Sequence, residues 1–138
     1  MFKGIGKTKK FLDSQSYIKA AYIFGSMAKK SAGPMSDIDF AFLLDNKMSK
    51  QERFRKRLVL INKISSLLKT DKIDVVIMND SNYRLNFEII RTGKLIKDNE
   101  PARVAAETGI MSVYYDRKFY DDRHDRILLK QIEKGGLL

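Results

Sequence analysis

Two aspartates flanking a single residue, Asp37-Ile38-Asp39, open an apolar run, FAFLL, and stand ten residues after the pair Gly25-Ser26. Residues two apart on an extended strand project to one face, so both carboxylates would point the same way. A third aspartate, Asp74, lies at the start of a second apolar run, IDVVIM, and Gly25-Ser26 itself ends a third, AAYIF. If these runs are neighbouring strands, three carboxylates face a small-residue turn. Carboxylates that close repel and raise one another's pKa unless a cation holds them. Hard oxygen ligands, in a chain with no cysteine and one histidine, favour Mg²⁺ or Mn²⁺ over Zn²⁺. Two such ions about 3.5–4 Å apart can activate an attacking hydroxyl and neutralise a leaving pyrophosphate. Phosphoryl and nucleotidyl transfer are mostly positioning and charge stabilisation, so few other catalytic groups are required.

The Gly-Ser pair supplies the complementary half. A helical turn over residues 26–30 would begin just after Gly25. It would turn backbone N–H groups and a positive dipole end toward a phosphate. Ser26 and those N–H groups would cradle the β- and γ-phosphates of a nucleotide, with Lys29 and Lys30 adding charge. The pair is not a Walker loop, since GxxxxGK[ST] is absent. His124, set in DDRHDR, reads as a solvated helix residue, because one histidine in a charged run makes no triad.

A chain of 138 residues is expected to form one domain over 1–138, long enough to bury a core. No apolar run approaches the roughly 18–20 residues of a membrane span. The basic start MFKGIGKTKKFLD is not followed by the apolar stretch of a secretory signal. Together with the lack of cysteine this gives a cytoplasmic expectation. The net charge of +10, from 27 Lys and Arg against 17 Asp and Glu, attracts polyanions: nucleic acid, ATP or an acidic protein. No RNP-like strand, zinc-finger spacing or helix-turn-helix is present, so a nucleic-acid partner is not required.

The elements that must position these groups follow from periodicity. A short helix is expected over 4–17, from Ile5, Thr8, Phe11 and Leu12. Strands follow over 20–24 and 37–44, separated by the loop SAGPMS. Ser49 caps a long helix ending near Lys69, with Glu52 at the capping-box position. Its core face is expected to be Phe54, Leu58, Ile61, Ile64 and Leu68, and Arg53, Arg55, Lys56 and Arg57 read as a solvated face. A strand over 73–78 leads to a helix over 82–91, capped by Asn79-Asp80-Ser81 and stopped by Gly93 in the left-handed conformation. An edge strand over 94–97 precedes a last helix, from Pro101 to near Lys134. Tyr114, Tyr115, Phe119 and Tyr120 are expected to pack on the sheet or on a partner. The class is α/β (α+β): a small mixed sheet flanked by helices, with a long C-terminal helix.

The run GS-x10-DID with Asp74 on a later strand resembles the minimal nucleotidyltransferases of the DNA polymerase β superfamily. NFEIIRTGKLI and the long charged helix with paired tyrosines resemble the MNT-type antitoxins that accompany HEPN toxins. The resemblance spans roughly residues 15 to 134 and implies the nucleotidyltransferase fold. It implies that Asp37 and Asp39 bind metal, that Asp74 is the third carboxylate and deprotonates the acceptor hydroxyl, and that Gly25 and Ser26 hold phosphate. It implies Mg²⁺, ATP as substrate, and transfer of AMP to a tyrosine hydroxyl of a partner HEPN ribonuclease, which silences that toxin. Relatives often carry Ala-Arg-Gly shortly after the Gly-Ser turn, whereas here Ala28-Lys29-Lys30 stands. The charge is kept, but a bidentate fork and a glycine are lost. Two other functions fit the same residues: nucleotidyl transfer to a small-molecule hydroxyl, and an antitoxin that neutralises its partner by contact alone.

Overall fold

The structure, a computed structural model, describes residues 4–25 and 37–134. Four strands form one mixed sheet in the order β3-β2-β1-β4. β1 (Ile18–Phe24) and β2 (Ile38–Leu44) pair antiparallel, β3 (Ile73–Ile77) lies parallel to β2 on one edge, and β4 (Lys94–Asp98) lies antiparallel to β1 on the other. The central strands carry residues buried on both faces, and helices cover both faces. Alternation on β2 sends Ile38, Phe40, Phe42 and Leu44 into one core cluster with Leu12, Leu60 and Ile64. Those partners come from α1 (Ile5–Asp13) and α2 (Lys50–Leu68). Ala41 and Leu43 face the opposite cluster, with Tyr22, Met78 and Ile89. That side is covered by α3 (Tyr83–Thr92) and α4 (Ala102–Glu133), which add Leu85, Ile90, Ala106 and Ile110.

α1 is shorter than its apolar spacing predicts. It stops at Asp13 because its final carbonyls are taken by groups outside the helix. Lys97 Nζ donates to Leu12 O at 2.8 Å and to Gln15 O, and Ser14 Oγ donates to Phe11 O at 2.6 Å. A cation on a helix C-terminus is favourable, and here it ties α1 to β4. Burial pushes the Lys97 ammonium below its ordinary pKa.

The predicted cap of α2 is present: Ser49 Oγ accepts from Glu52 N at 3.1 Å, and Lys69 closes the helix in the left-handed conformation. The predicted core face is only partly right. Leu60 and Ile64 are fully buried, but Phe54 is 58% exposed and Leu58 45%. The inward stripe continues through Arg57 and Arg53, at the helical spacing 53, 57, 60, 64. Arg53 donates to both Asp80 oxygens at 2.9 and 2.7 Å and to Met48 O at 2.7 Å. These two arginines therefore belong to tertiary structure and not to a solvated face. Ile64→Ala is expected to lower unfolding free energy by about 2–5 kcal/mol, and Phe54→Ala by less than about 1 kcal/mol. Denaturant unfolding of the two variants checks the assignment.

Two further corrections concern α3. Its cap is Asn82, whose Oδ1 accepts from Leu85 N at 2.8 Å. Asn79 instead continues the sheet, pairing its amide with Leu44 N and Leu44 O at 2.9 Å each. Gly93 is extended, not left-handed (φ −72°). It must be glycine because a Cβ there would collide with Ile89 O. The expected edge strand is present as β4. Tyr114 stacks on Phe87 of α3, with ring centroids 3.8 Å apart, and so packs on a helix, while Tyr115, Phe119 and Tyr120 are exposed. α4 is fixed at its start by Arg103, which donates to Asp98, Glu100 and Glu107 at 2.6–2.8 Å. Glu107 also accepts from Tyr22 OH on β1 at 2.6 Å. No described helix is long and apolar enough to cross a membrane.

Candidate functional site

The sheet brings the chemistry to one end. Phe24, the last residue of β1, pairs with Asp39 on β2, and Asp39 pairs in register with Asp74 on β3. Ile38 N donates to Lys72 O at 2.9 Å, which holds the starts of β2 and β3 level. Across the sheet the order is therefore Gly25, just past the end of β1, then Asp39 on β2 and Asp74 on β3. Alternation places Asp39 and Asp74 on the sheet face of Ala41 and Val76, although Asp74, on the outer strand, is still reached by Arg57 of α2.

Gly25 adopts φ +73°, and a Cβ there would stand 2.5 Å from Asp39 Oδ2. Glycine is thus required twice, by its left-handed backbone and by the carboxylate lying against it. Asp37, just before β2, is exposed, while Asp39 is half-buried. Burial first, then the charges of Asp74 and Asp37, hold the Asp39 carboxyl above its ordinary pKa. Asp74 is exposed. Its Oδ1 accepts from Val75 N at 2.9 Å and stands 3.5 Å from an Arg57 nitrogen.

The mutual charge at Asp39 is a test of whether this donor set suits a cation. The Asp39 carboxyl, a hard oxygen donor, has its pKa raised by burial and by the charges of Asp74 and Asp37, while an Arg57 nitrogen stands 3.5 Å from Asp74. A divalent ion would relieve that repulsion, and hard oxygen donors are the chemistry such an ion takes. As they stand, no three acidic or imidazole groups among the described residues converge on one point. Ser26, Lys29 and Lys30, expected to hold phosphate, lie outside the described residues. His124 is exposed on α4 and stands apart from the site in chain and fold.

Sequence reasoning missed Arg57. Its Nε donates to Val75 O at 2.8 Å while its other end approaches Asp74. The signal was its spacing, i−3 to Leu60 and i−7 to Ile64, which puts it on the inward stripe.

A family model described as polymerase beta, nucleotidyltransferase matches residues 6–102. Among solved structures, a chain in the crystal structure of a toxin-antitoxin with AMP-PNP superimposes with a TM-score of 0.70. It is 19% identical, over 93% of this chain and 99% of that one. A chain from the toxin-antitoxin MntA-HepT gives 0.64 at 20% identity, covering 91% and 97%. A chain from the complex of tri-AMPylated Shewanella oneidensis HEPN toxin with MNT antitoxin gives 0.62 at 17% identity, covering 91% and 98%. At these identities the likeness is one of fold. Among curated proteins, none matches the sequence.

Proposed function

From the premise that the chain belongs to the polymerase beta nucleotidyltransferase family, we propose that it transfers AMP from ATP to a tyrosine hydroxyl of a partner HEPN ribonuclease, as that toxin's antitoxin. The observation that carries the chemistry is Asp39 in register with Asp74 on one side and pressed against Gly25 on the other. The choice of donor and acceptor is supported by the company this fold keeps. One chain of similar fold occurs in a toxin-antitoxin with AMP-PNP, another in a complex of MNT antitoxin with tri-AMPylated HEPN toxin.

In the reaction the tyrosine oxygen forms a bond to the α-phosphorus of ATP, and the bond from that phosphorus to the bridging oxygen of pyrophosphate breaks. The phenolic proton passes to the Asp74 carboxylate, which is exposed and able to meet a protein acceptor. Gly25 and Ser26 hold the leaving phosphates, with Lys29 and Lys30 as counter-charge. Asp37, Asp39 and Asp74 would hold Mg²⁺, two ions on this reading, which supplies charge neutralisation at the phosphates. The reading carries with it a cytoplasmic reaction, where ATP and such a partner would meet.

The test is intact-mass spectrometry of the HEPN partner after incubation with this protein, ATP and Mg²⁺. A gain of one AMP residue or a multiple is expected, and it should vanish when Mg²⁺ is chelated. Co-elution of the two proteins without a mass gain would replace transfer by neutralisation through contact. Neither a gain nor a complex would turn the search to small-molecule hydroxyls.

A further inference from the structure

β3 is an outer strand, paired only with β2 among the described strands. Over its free edge runs a mainly apolar groove of about 340 Å³ between α2 and α3, lined by Phe54, Arg57, Val75, Ile77 and Leu85. The groove begins at the residue after Asp74. We propose that it is the docking site of the acceptor protein, and that it takes an acidic segment whose apolar anchor side chain lies near the modified tyrosine.

Three observations support this assignment, which rests on the functional reading above. The first is direction. In-line displacement at phosphorus puts the entering oxygen opposite the leaving one. The phosphate turn is on β1 and the order across the sheet is β1, β2, β3, so the acceptor must enter from the β3 side. That side is open, and the groove lies on it. The second is the surplus of apolar surface on α2. Phe54 lines the groove and is exposed, so the fold of this chain does not use it. The third is charge. Of the cations in residues 50–57, KQERFRKR, Lys50 and Arg57 line the groove. Asp80 on the groove wall is already held by Arg53. A surface of that sign steers and retains an acidic segment.

The contact is by side-chain insertion and not by strand addition. Arg57 Nε already occupies Val75 O at 2.8 Å, which closes the strand edge at its centre. The same guanidinium stands at Asp74. An acceptor seated in the groove therefore contacts the residue that borders the proposed proton acceptor.

The experiment is AMP transfer measured against HEPN-partner concentration for wild type, Phe54→Asp, Phe54→Leu and Phe119→Ser. Phe54→Asp is expected to raise the acceptor KM about tenfold or more, with kcat and the KM for ATP holding. Phe54→Leu should recover most of the loss, and the wild-type acceptor KM should climb with added salt. An acceptor KM in Phe54→Asp equal to wild type overturns the proposal. So does a loss confined to Phe119→Ser, which would seat the acceptor on α4. If wild type transfers nothing, the functional reading fails, and calorimetric binding of the partner then decides the groove by itself. Binding lost in Phe54→Asp upholds it, and binding unchanged overturns it.

Discussion

Asp39→Asn is expected to reduce AMP transfer by about three orders of magnitude while leaving the folded protein as stable as wild type or more so. The two effects have one origin. Asp39 is half-buried between Gly25 and Asp74, and burial with the charges of Asp74 and Asp37 raises its pKa. A carboxylic acid whose folded pKa is raised favours the folded state below its unfolded pKa. That contribution is lost as pH rises through the folded value, so at neutral pH the charged form works against folding. Asparagine keeps the shape and removes the charge. It removes the repulsion and, with it, the central oxygen ligand proposed for a divalent ion. Mg²⁺ should therefore raise the melting temperature of wild type, as a ligand of the native state does, and should leave Asp39→Asn unmoved. Calorimetry with and without Mg²⁺, beside the transfer assay, reads both. A variant that loses stability along with activity would mean Asp39 is structural.

Much of this site was legible because its signals are local. Two aspartates at period two, each beginning or entering an apolar run, say which face and which strand end, and the fold needs only to bring three such runs side by side. The strands themselves were legible for the same reason: FAFLL and IDVVIM are apolar beyond what a one-sided sheet needs. What failed to show was set by close approaches and partners that spacing along the chain does not reveal. Gly93 looks like a left-handed helix stop, and its requirement comes instead from the approach of Ile89 O. Arg53 and Arg57 look solvated because they are charged, yet their acceptors, Asp80, Met48 O and Val75 O, lie on segments whose placement no helical wheel contains. With arginines taking inward positions, the wheel's most apolar stripe is displaced by one residue and exposes Phe54. The groove could not be read at all, since it depends on β3 being outermost.

Gly25→Ala should cost transfer about a hundredfold, the scale of loss expected when a reacting group is displaced by about 1 Å. Its stability cost should stay near 1–2 kcal/mol. The added methyl would stand 2.5 Å from Asp39 Oδ2, closer than atoms tolerate, so either the turn or the carboxylate must shift. The carboxylate is the softer of the two, because the β1–β2 ladder fixes the backbone on both sides, through Phe24 and Asp39. The damage should therefore pass through Asp39. In an Asp39→Asn background, adding Gly25→Ala should lower the remaining activity far less than it lowers that of wild type. Such non-additivity is the mark of two residues acting on one feature. Gly109→Ala is the control: a Cβ there meets nothing within 4 Å, and alanine is the better helix former by about 1 kcal/mol, so stability should rise and transfer hold. If Gly25→Ala transfers AMP as well as wild type, the turn does not position Asp39. The role of Gly25 would then be limited to its left-handed backbone.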